Sequence, residues 1–203
     1  MGTNQRLRSK QKVNTSSKSG QIRIIAGQWR GRKLPVKDLE GLRPTTDRVK
    51  ETVFNWLAMD VRDTNCLDCF SGSGSLGLEA LSRYAASALL LERDKSAAKQ
   101  LQTNFDTVKA SNGKVVCTDT LAFLAQPAQQ EFDLVFVDPP FRKGLLEPCC
   151  ESLENNGWLS ENALIYVERE KELTQPNLPS NWTLIKDKTA GQVIYQVYQR
   201  QPQ

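Results

Sequence analysis

The chain contains no histidine among its 203 residues. That absence excludes a Ser–His or Cys–His dyad, an imidazole general base and a Cys/His zinc site. No stretch is long and apolar enough to span a bilayer. The opening residues, MGTNQRLRSK, lack the apolar core of a secretory signal. Both absences lead to the expectation of a cytoplasmic protein that meets no membrane. Hydrophobic residues make up only 39% of the chain, partly because residues 1–20 are rich in Ser, Lys, Gln, Asn and Arg with almost no large apolar side chains. Such a segment buries too little to offset its ordering entropy and reads as a disordered basic tail. The five cysteines are an odd number in a chain without secretory features. Cys66 and Cys69 have C-x-x-C spacing, but no second pair sits at a matching distance. Alternation along a buried strand explains these thiols better than a metal or redox site, and no metal is expected. The chemistry must therefore use carboxylates, backbone groups or a cofactor.

What is present is unevenly placed. Residues 1–50 hold 13 Lys and Arg against 3 Asp and Glu, a net of +10; residues 51–203 hold 14 against 20, a net of −6. A basic arm on an acidic body predicts a polyanionic partner that meets the N-terminal region; a solubilising tail is the plainer alternative.

Residues 21–203 read as a single domain, with an extension over 21–44 and a core over 45–203. Gln21 to Gly27 reads as a strand, Gly27 to Gly31 as a turn and Arg32 to Val36 as the return strand of a hairpin. This hairpin gathers Arg23, Arg30, Arg32 and Lys33 around Trp29. Residues 45–59 predict an amphipathic helix with Val49, Val53, Trp56 and Leu57 on one face and Thr45 or Thr46 as N-cap. Apolar strands are then predicted at 65–70, 87–92, 114–118, 132–138, 162–168, 182–187 and 192–199, and helices at 75–84, 94–110, 119–126 and 143–155. The alternation predicts an α/β, Rossmann-like fold: a mostly parallel twisted sheet with helices on both faces. Thr189-Ala190-Gly191 is too short for a crossover helix, so the last two strands should close as an antiparallel hairpin.

Two segments carry chemistry. In Asp68-Cys69-Phe70-Ser71-Gly72-Ser73-Gly74-Ser75-Leu76-Gly77, glycines between a strand and a helix let the backbone turn sharply and approach a ligand. Alone, this pattern also fits NAD. Three acids shift the balance. Asp68, just before the loop, suits an ammonium better than a pyrophosphate. Glu92 ends the next strand, where it can accept both ribose hydroxyls. Asp119 follows the third strand, where it can accept from an adenine amine. Ordinary capping of the following helices is the alternative for each. The second segment is Asp138-Pro139-Pro140-Phe141. Two prolines after a buried strand force an extended exit and remove two donors. The Asp138 carboxylate and Pro139 carbonyl are then acceptors suited to a planar –NH₂ group, and Phe141 can stack on the attached base. Taken alone, this segment could be a strand-ending turn.

The glycine loop, Gly77-Leu78-Glu79-Ala80-Leu81-Ser82-Arg83 and Asp138-Pro139-Pro140-Phe141 resemble the class I S-adenosylmethionine-dependent amino-methyltransferases. More narrowly, Gln28-Trp29-Arg30-Gly31-Arg32-Lys33-Leu34 and the segment Arg43 to Glu51 resemble the family of bacterial 16S ribosomal RNA guanine-N2 methyltransferases that modify guanine 966. The resemblance runs from about residue 21 to the C-terminus. It implies a monomer that uses S-adenosyl-L-methionine and acts on 16S rRNA within an assembled small ribosomal subunit. It also implies cofactor contacts from the loop residues Asp68, Phe70, Ser71, Gly72, Gly74 and Gly77, from Glu92 and Arg93 at the ribose and from Asp119 and Thr120 at adenine. The segment from Arg43 and Thr45 to Arg48 would close over the cofactor. The catalytic set is then Asp138, Pro139, Pro140 and Phe141. Phosphate contacts fall to Arg23, Arg30, Arg32, Lys33, Arg48, Lys50, Arg142 and Lys143. The enzymatic rival is a methyltransferase acting on the N6 of DNA adenine, disfavoured because no separate target-recognition domain is visible. A binding module without catalysis is the rival from another class.

Overall fold

A computed structural model of the chain describes residues 20–37, 46–173 and 175–202. Most of the expected basic tail, and Arg43 and Thr45, lie outside the described residues. The expected hairpin forms: β1 (Gly20–Arg23) pairs antiparallel with β2 (Lys33–Val36), with Ile22 opposite Leu34. Its first residue, Gly20, was assigned above to the tail. Ile22, Leu34, Val36 and Trp29 are buried in the main core, so the hairpin is packed onto the body.

Helix α1 (Asp47–Trp56) is capped by Thr46, whose Oγ1 accepts from the Val49 N–H at 3.3 Å. Its buried face is Val49, Lys50, Val53 and Phe54, continued by Leu57. Trp56, placed on that face by periodicity, is only half-buried and stacks on Tyr195 with ring centroids 5.4 Å apart. Phe54 takes the inner position against Phe136 at 5.8 Å.

The main sheet contains β3 (Asn65–Asp68), β4 (Ser87–Glu92), β5 (Gly113–Cys117), β6 (Phe132–Val137), β7 (Leu159–Glu170), β8 (Trp182–Ala190) and β9 (Val193–Arg200). Their order is β5-β4-β3-β6-β7-β9-β8. The first five strands run parallel, and β9 pairs antiparallel with both β7 and β8. Neighbouring residues on β3 enter opposite cores: Cys66 faces the one lined by α1, the hairpin, α2 (Ser75–Ser82) and α3 (Lys95–Val108), and Leu67 the one lined by α4 (Thr120–Leu124) and α5 (Leu146–Asn155). Burial on both faces is why these strands read as unbroken apolar runs. Cys69 joins the second core, so the C-x-x-C thiols lie on opposite faces of the sheet. The last hairpin turns at Gly191, with Thr189 and Ala190 still in β8.

From β3 the chain builds β4 and β5 to one side, then returns to place β6 on the other. The strand order reverses between β3 and β6, and at such a reversal the carboxyl ends of the strands open a ligand crevice. Among the described residues, no helix is long and apolar enough to cross a membrane.

Candidate active site

Strand register lines up the expected acids. Asp68 lies level with Leu90 on β4 and Phe136 on β6. Glu92 and Asp138 each stand two residues further toward the carboxyl edge, and Glu92 is level with Cys117 on β5, just before Asp119. Asp68 and Asp138 thus flank the reversal point, with Glu92 and Asp119 continuing the row.

The loop after β3 is held by its own backbone. The Ser71 N–H donates to the Leu91 carbonyl at 3.0 Å, and the Gly74 N–H to the Ser71 carbonyl at 2.6 Å. The Ser71 hydroxyl donates to the Asp68 carbonyl at 3.0 Å, so this side chain closes the turn. Gly74 has φ +73°, and a Cβ there would lie 2.4 Å from Leu101 Cδ2; one on Gly77 would lie 2.6 Å from Leu90 Cδ1. Glycine is needed at both positions so that α2 can start and pack directly on β4.

Asp68 is buried, and its Oδ2 accepts from the Gly77 N–H at 3.2 Å. Burial pushes its carboxyl up to about 7; the Gly77 N–H pulls it back and the Glu92 charge pushes it further. Glu92 accepts from the Gly72 N–H at 2.8 Å and the Asp94 N–H at 2.7 Å, yet burial still raises it. Two carboxylates desolvated beside each other make a place that favours a cation. Nearby, the Ser75 hydroxyl is buried and has no hydrogen-bond partner among the described residues. This set of acceptors fits S-adenosylmethionine, which brings an ammonium, a sulfonium and two ribose hydroxyls. Asp68, Glu92 and the loop backbone would hold it.

The other expected cofactor residues have the following places. Asp119 is exposed and caps α4, its Oδ1 accepting from the Ala122 N–H at 3.1 Å. Thr120 is buried and its hydroxyl donates to the Cys69 carbonyl, so it ties α4 to the residue that follows β3. Phe70 is half-buried against the second core, and Arg93 is exposed.

After β6, Asp138 is half-buried, Pro139 buried, Pro140 exposed and Phe141 half-buried. Arg142 has φ +60°; its N–H donates to Glu170 Oε1 at 3.0 Å, and its guanidinium pairs with Glu172 at 3.0 Å. The chain leaving the motif is therefore fastened to the end of β7. Sequence reasoning missed this wall, including Tyr166 and Glu168, both buried and joined by a 2.7 Å hydrogen bond from the phenol to Glu168 Oε2.

Of the expected phosphate contacts, Arg30, Lys33, Arg48 and Lys143 are exposed. Arg23 is exposed and pairs with Asp47 at 3.2 Å, and exposed Arg32 reaches the Thr107 carbonyl at 3.4 Å. Lys50 is a correction. Its side chain is 1% exposed and its Nζ donates to the Arg23 carbonyl at 2.5 Å, with Glu79 3.7 Å away. An ammonium enclosed in this way cannot meet a phosphate. Glu79, also missed, is fully buried and accepts from the N–H groups of Ile25 at 2.8 Å and Ala26 at 3.0 Å and from Arg83 at 2.8 Å. An acid inside the otherwise apolar helix LGLEAL was the signal available for it.

Residues 22–199 match the family model described as Conserved hypothetical protein 95. The chain belongs to this family. Within reach of the same match stands Ribosomal RNA small subunit methyltransferase D of Escherichia coli strain K12, 60% identical over 187 residues, covering 92% of this chain and 94% of the relative. The Haemophilus influenzae protein of the same name is 54% identical over 192 residues, covering 93% and 98%. The solved structure of yhhF from Escherichia coli aligns with a TM-score of 0.84 at 57% identity, covering 91% of this chain and 100% of that one. The family is one of class I methyltransferases, and the fold described above is shared with that solved structure.

Proposed function

We propose that the chain transfers the methyl group of S-adenosyl-L-methionine to the exocyclic N2 amine of guanine 966 in 16S rRNA. The observation that carries this reading is the pairing, across the strand reversal, of a cation-favouring carboxylate cradle at Asp68 and Glu92 with the Asp138-Pro139-Pro140-Phe141 turn on β6. The names of the most similar relatives support the RNA substrate. The exposed cations of the hairpin support it as well.

When bound, the cofactor supplies a sulfonium-activated methyl, so the protein's task is mainly alignment. Asp138 and the Pro139 carbonyl would accept the two amine hydrogens and draw the nitrogen lone pair out of conjugation with the ring. Asp138 would take up the proton that the amine gives up on methylation. Phe141 would stack on the unstacked base. Arg43 and Thr45 would complete the cofactor enclosure. Arg23, Arg30, Arg32, Lys33, Arg48, Arg142 and Lys143 would meet phosphates, which position the RNA without naming the base. The same reading takes residues 21–203 as one cytoplasmic, monomeric domain behind a basic tail, acting on an assembled small subunit.

The test is methyl transfer from labelled cofactor to small ribosomal subunits lacking native methylation, with the modified nucleoside identified by mass. N2-methylguanosine at position 966 is the expected product. Label found only in DNA adenine would overturn the substrate, and no label in either would overturn the activity.

A further inference from the structure

β7 runs parallel beside β6 with Val137 level with Val167, so the residues that follow, Asp138 and Glu168, stand as neighbours at the carboxyl edge of the sheet. They share a face. Phe136 and Tyr166, two residues earlier on each strand, both enter the core lined by α1 and touch edge to face at 6.2 Å. Tyr166 lies within the field of both carboxylates: burial first, then Glu168 and Asp138, hold its phenol well above its ordinary range. Glu168 is 8% exposed, and the Tyr166 hydroxyl fixes Oε2 at 2.7 Å. The next residue, Arg169, points to the other face, where it donates to Gln196 and the Leu173 carbonyl. Glu170, two residues beyond Glu168, holds the backbone of Arg142, so the end of β7 borders the motif turn.

A carboxylate beside the amine-holding acceptors has a chemical consequence. Guanine presents N1–H next to its N2 amine, two donor groups in a row. Adenine presents an N1 lone pair next to its amine, which an acceptor oxygen repels. We infer that Glu168 is a specificity-determining residue that accepts a hydrogen bond from guanine N1–H while Asp138 and Pro139 hold the N2 amine, thereby rejecting adenine. Tyr166 is its positioning residue. This inference rests on the guanine-amine reading above and extends it to the choice of base.

The test pairs a base change with a residue change. Small subunits are assembled with 16S rRNA carrying guanine or 2-aminopurine at the target position; 2-aminopurine keeps the N2 amine and lacks N1–H. For the unaltered protein, kcat/KM should fall about 10- to 100-fold on 2-aminopurine, the range of one lost base-edge contact. Glu168→Gln, which keeps an acceptor for Tyr166, should fall by a similar factor on guanine. It should show little further loss on 2-aminopurine, because the glutamine amide can donate to the bare N1. Affinity for S-adenosylhomocysteine, measured by calorimetry, should not change. Equal rates of the unaltered protein on the two bases overturn the inference whether or not the variant folds. Losses in Glu168→Gln that simply multiply with the base change overturn it too, since a structural defect would do that. An unaltered protein inactive on guanine-bearing subunits overturns the proposed function itself, a different result from either of these.

Discussion

Glu79→Gln withdraws one negative charge from the junction of α1, α2 and the N-terminal extension. The carboxylate gathers the N–H groups of Ile25 and Ala26, the Arg83 guanidinium and, at 3.7 Å, the Lys50 ammonium. Its side chain is 0% exposed and that of Lys50 1%, so water cannot replace what is lost. Leaving a buried charge without its partner costs about 3–5 kcal/mol, a large share of the roughly 5–15 kcal/mol that holds a domain folded. Urea denaturation at neutral pH, followed by tryptophan fluorescence, should show a loss in that range. Lys50→Met in the same background should restore part of it, the double variant losing about 2 kcal/mol less than the sum of the singles. The pH dependence has a defined sign. Burial lowers the Lys50 ammonium below its ordinary 10.5 against the pull of Glu79. Between the folded value and 10.5 the unfolded chain binds more protons, so stability rises with pH there. Removing Glu79 lowers Lys50 further and widens that window, so the deficit should shrink in alkali. A loss below about 1 kcal/mol, or strictly additive single variants, would refute the reasoning.

Asp138→Ala should leave S-adenosylhomocysteine affinity nearly intact and reduce methyl transfer by at least about 100-fold; full activity in a single-turnover assay would sink the role given to that carboxylate. Asp68, raised to about 7, must ionise to meet an ammonium, so cofactor affinity should climb with pH up to that value and level off above it. Without cofactor the same group makes the fold less stable as pH rises from 3.8 toward about 7, because there the folded state binds more protons. Asp68→Asn should flatten both profiles, and calorimetry across that range that still shows the slope would exclude Asp68 as its source. Charge removal at Arg30, Arg32 and Lys33 together should weaken RNA binding and reduce the salt slope by roughly one unit per lost phosphate contact. An unaltered slope in a salt titration would move the interface elsewhere.

The parallel strands were legible because burial on both faces leaves unbroken apolar runs, and 87–92 matches β4 at both ends. Boundaries drifted where tertiary context extends or cuts an element. β7 runs to Glu170 because β9 continues to pair with it, and β3 stops at Asp68 because the glycine loop turns away. The glycines and the Asp-Pro-Pro-Phe turn could be read directly, since backbone conformation there is demanded by local chemistry. Ser71 and Thr120 could be read as neighbours of the site, but whether their hydroxyls faced a ligand or the backbone could not. Lys50 was read as a surface cation because it lies in a basic segment, while its partner Glu79 lies 29 positions further along the sequence.

By itself, then, the sequence determined the fold class, the crevice loop, the motif turn and a chemistry that works without histidine. These follow from periodicity, glycine freedom and proline rigidity, which act over a few neighbouring residues. Only the tertiary structure decided which charges are buried and with whom: Lys50 with Glu79, Asp68 near Glu92, Glu168 beside Asp138 and under Tyr166. Those pairings arise where separate strands and helices meet, and the field and desolvation at such junctions depend on distance in space, which spacing along the chain does not encode.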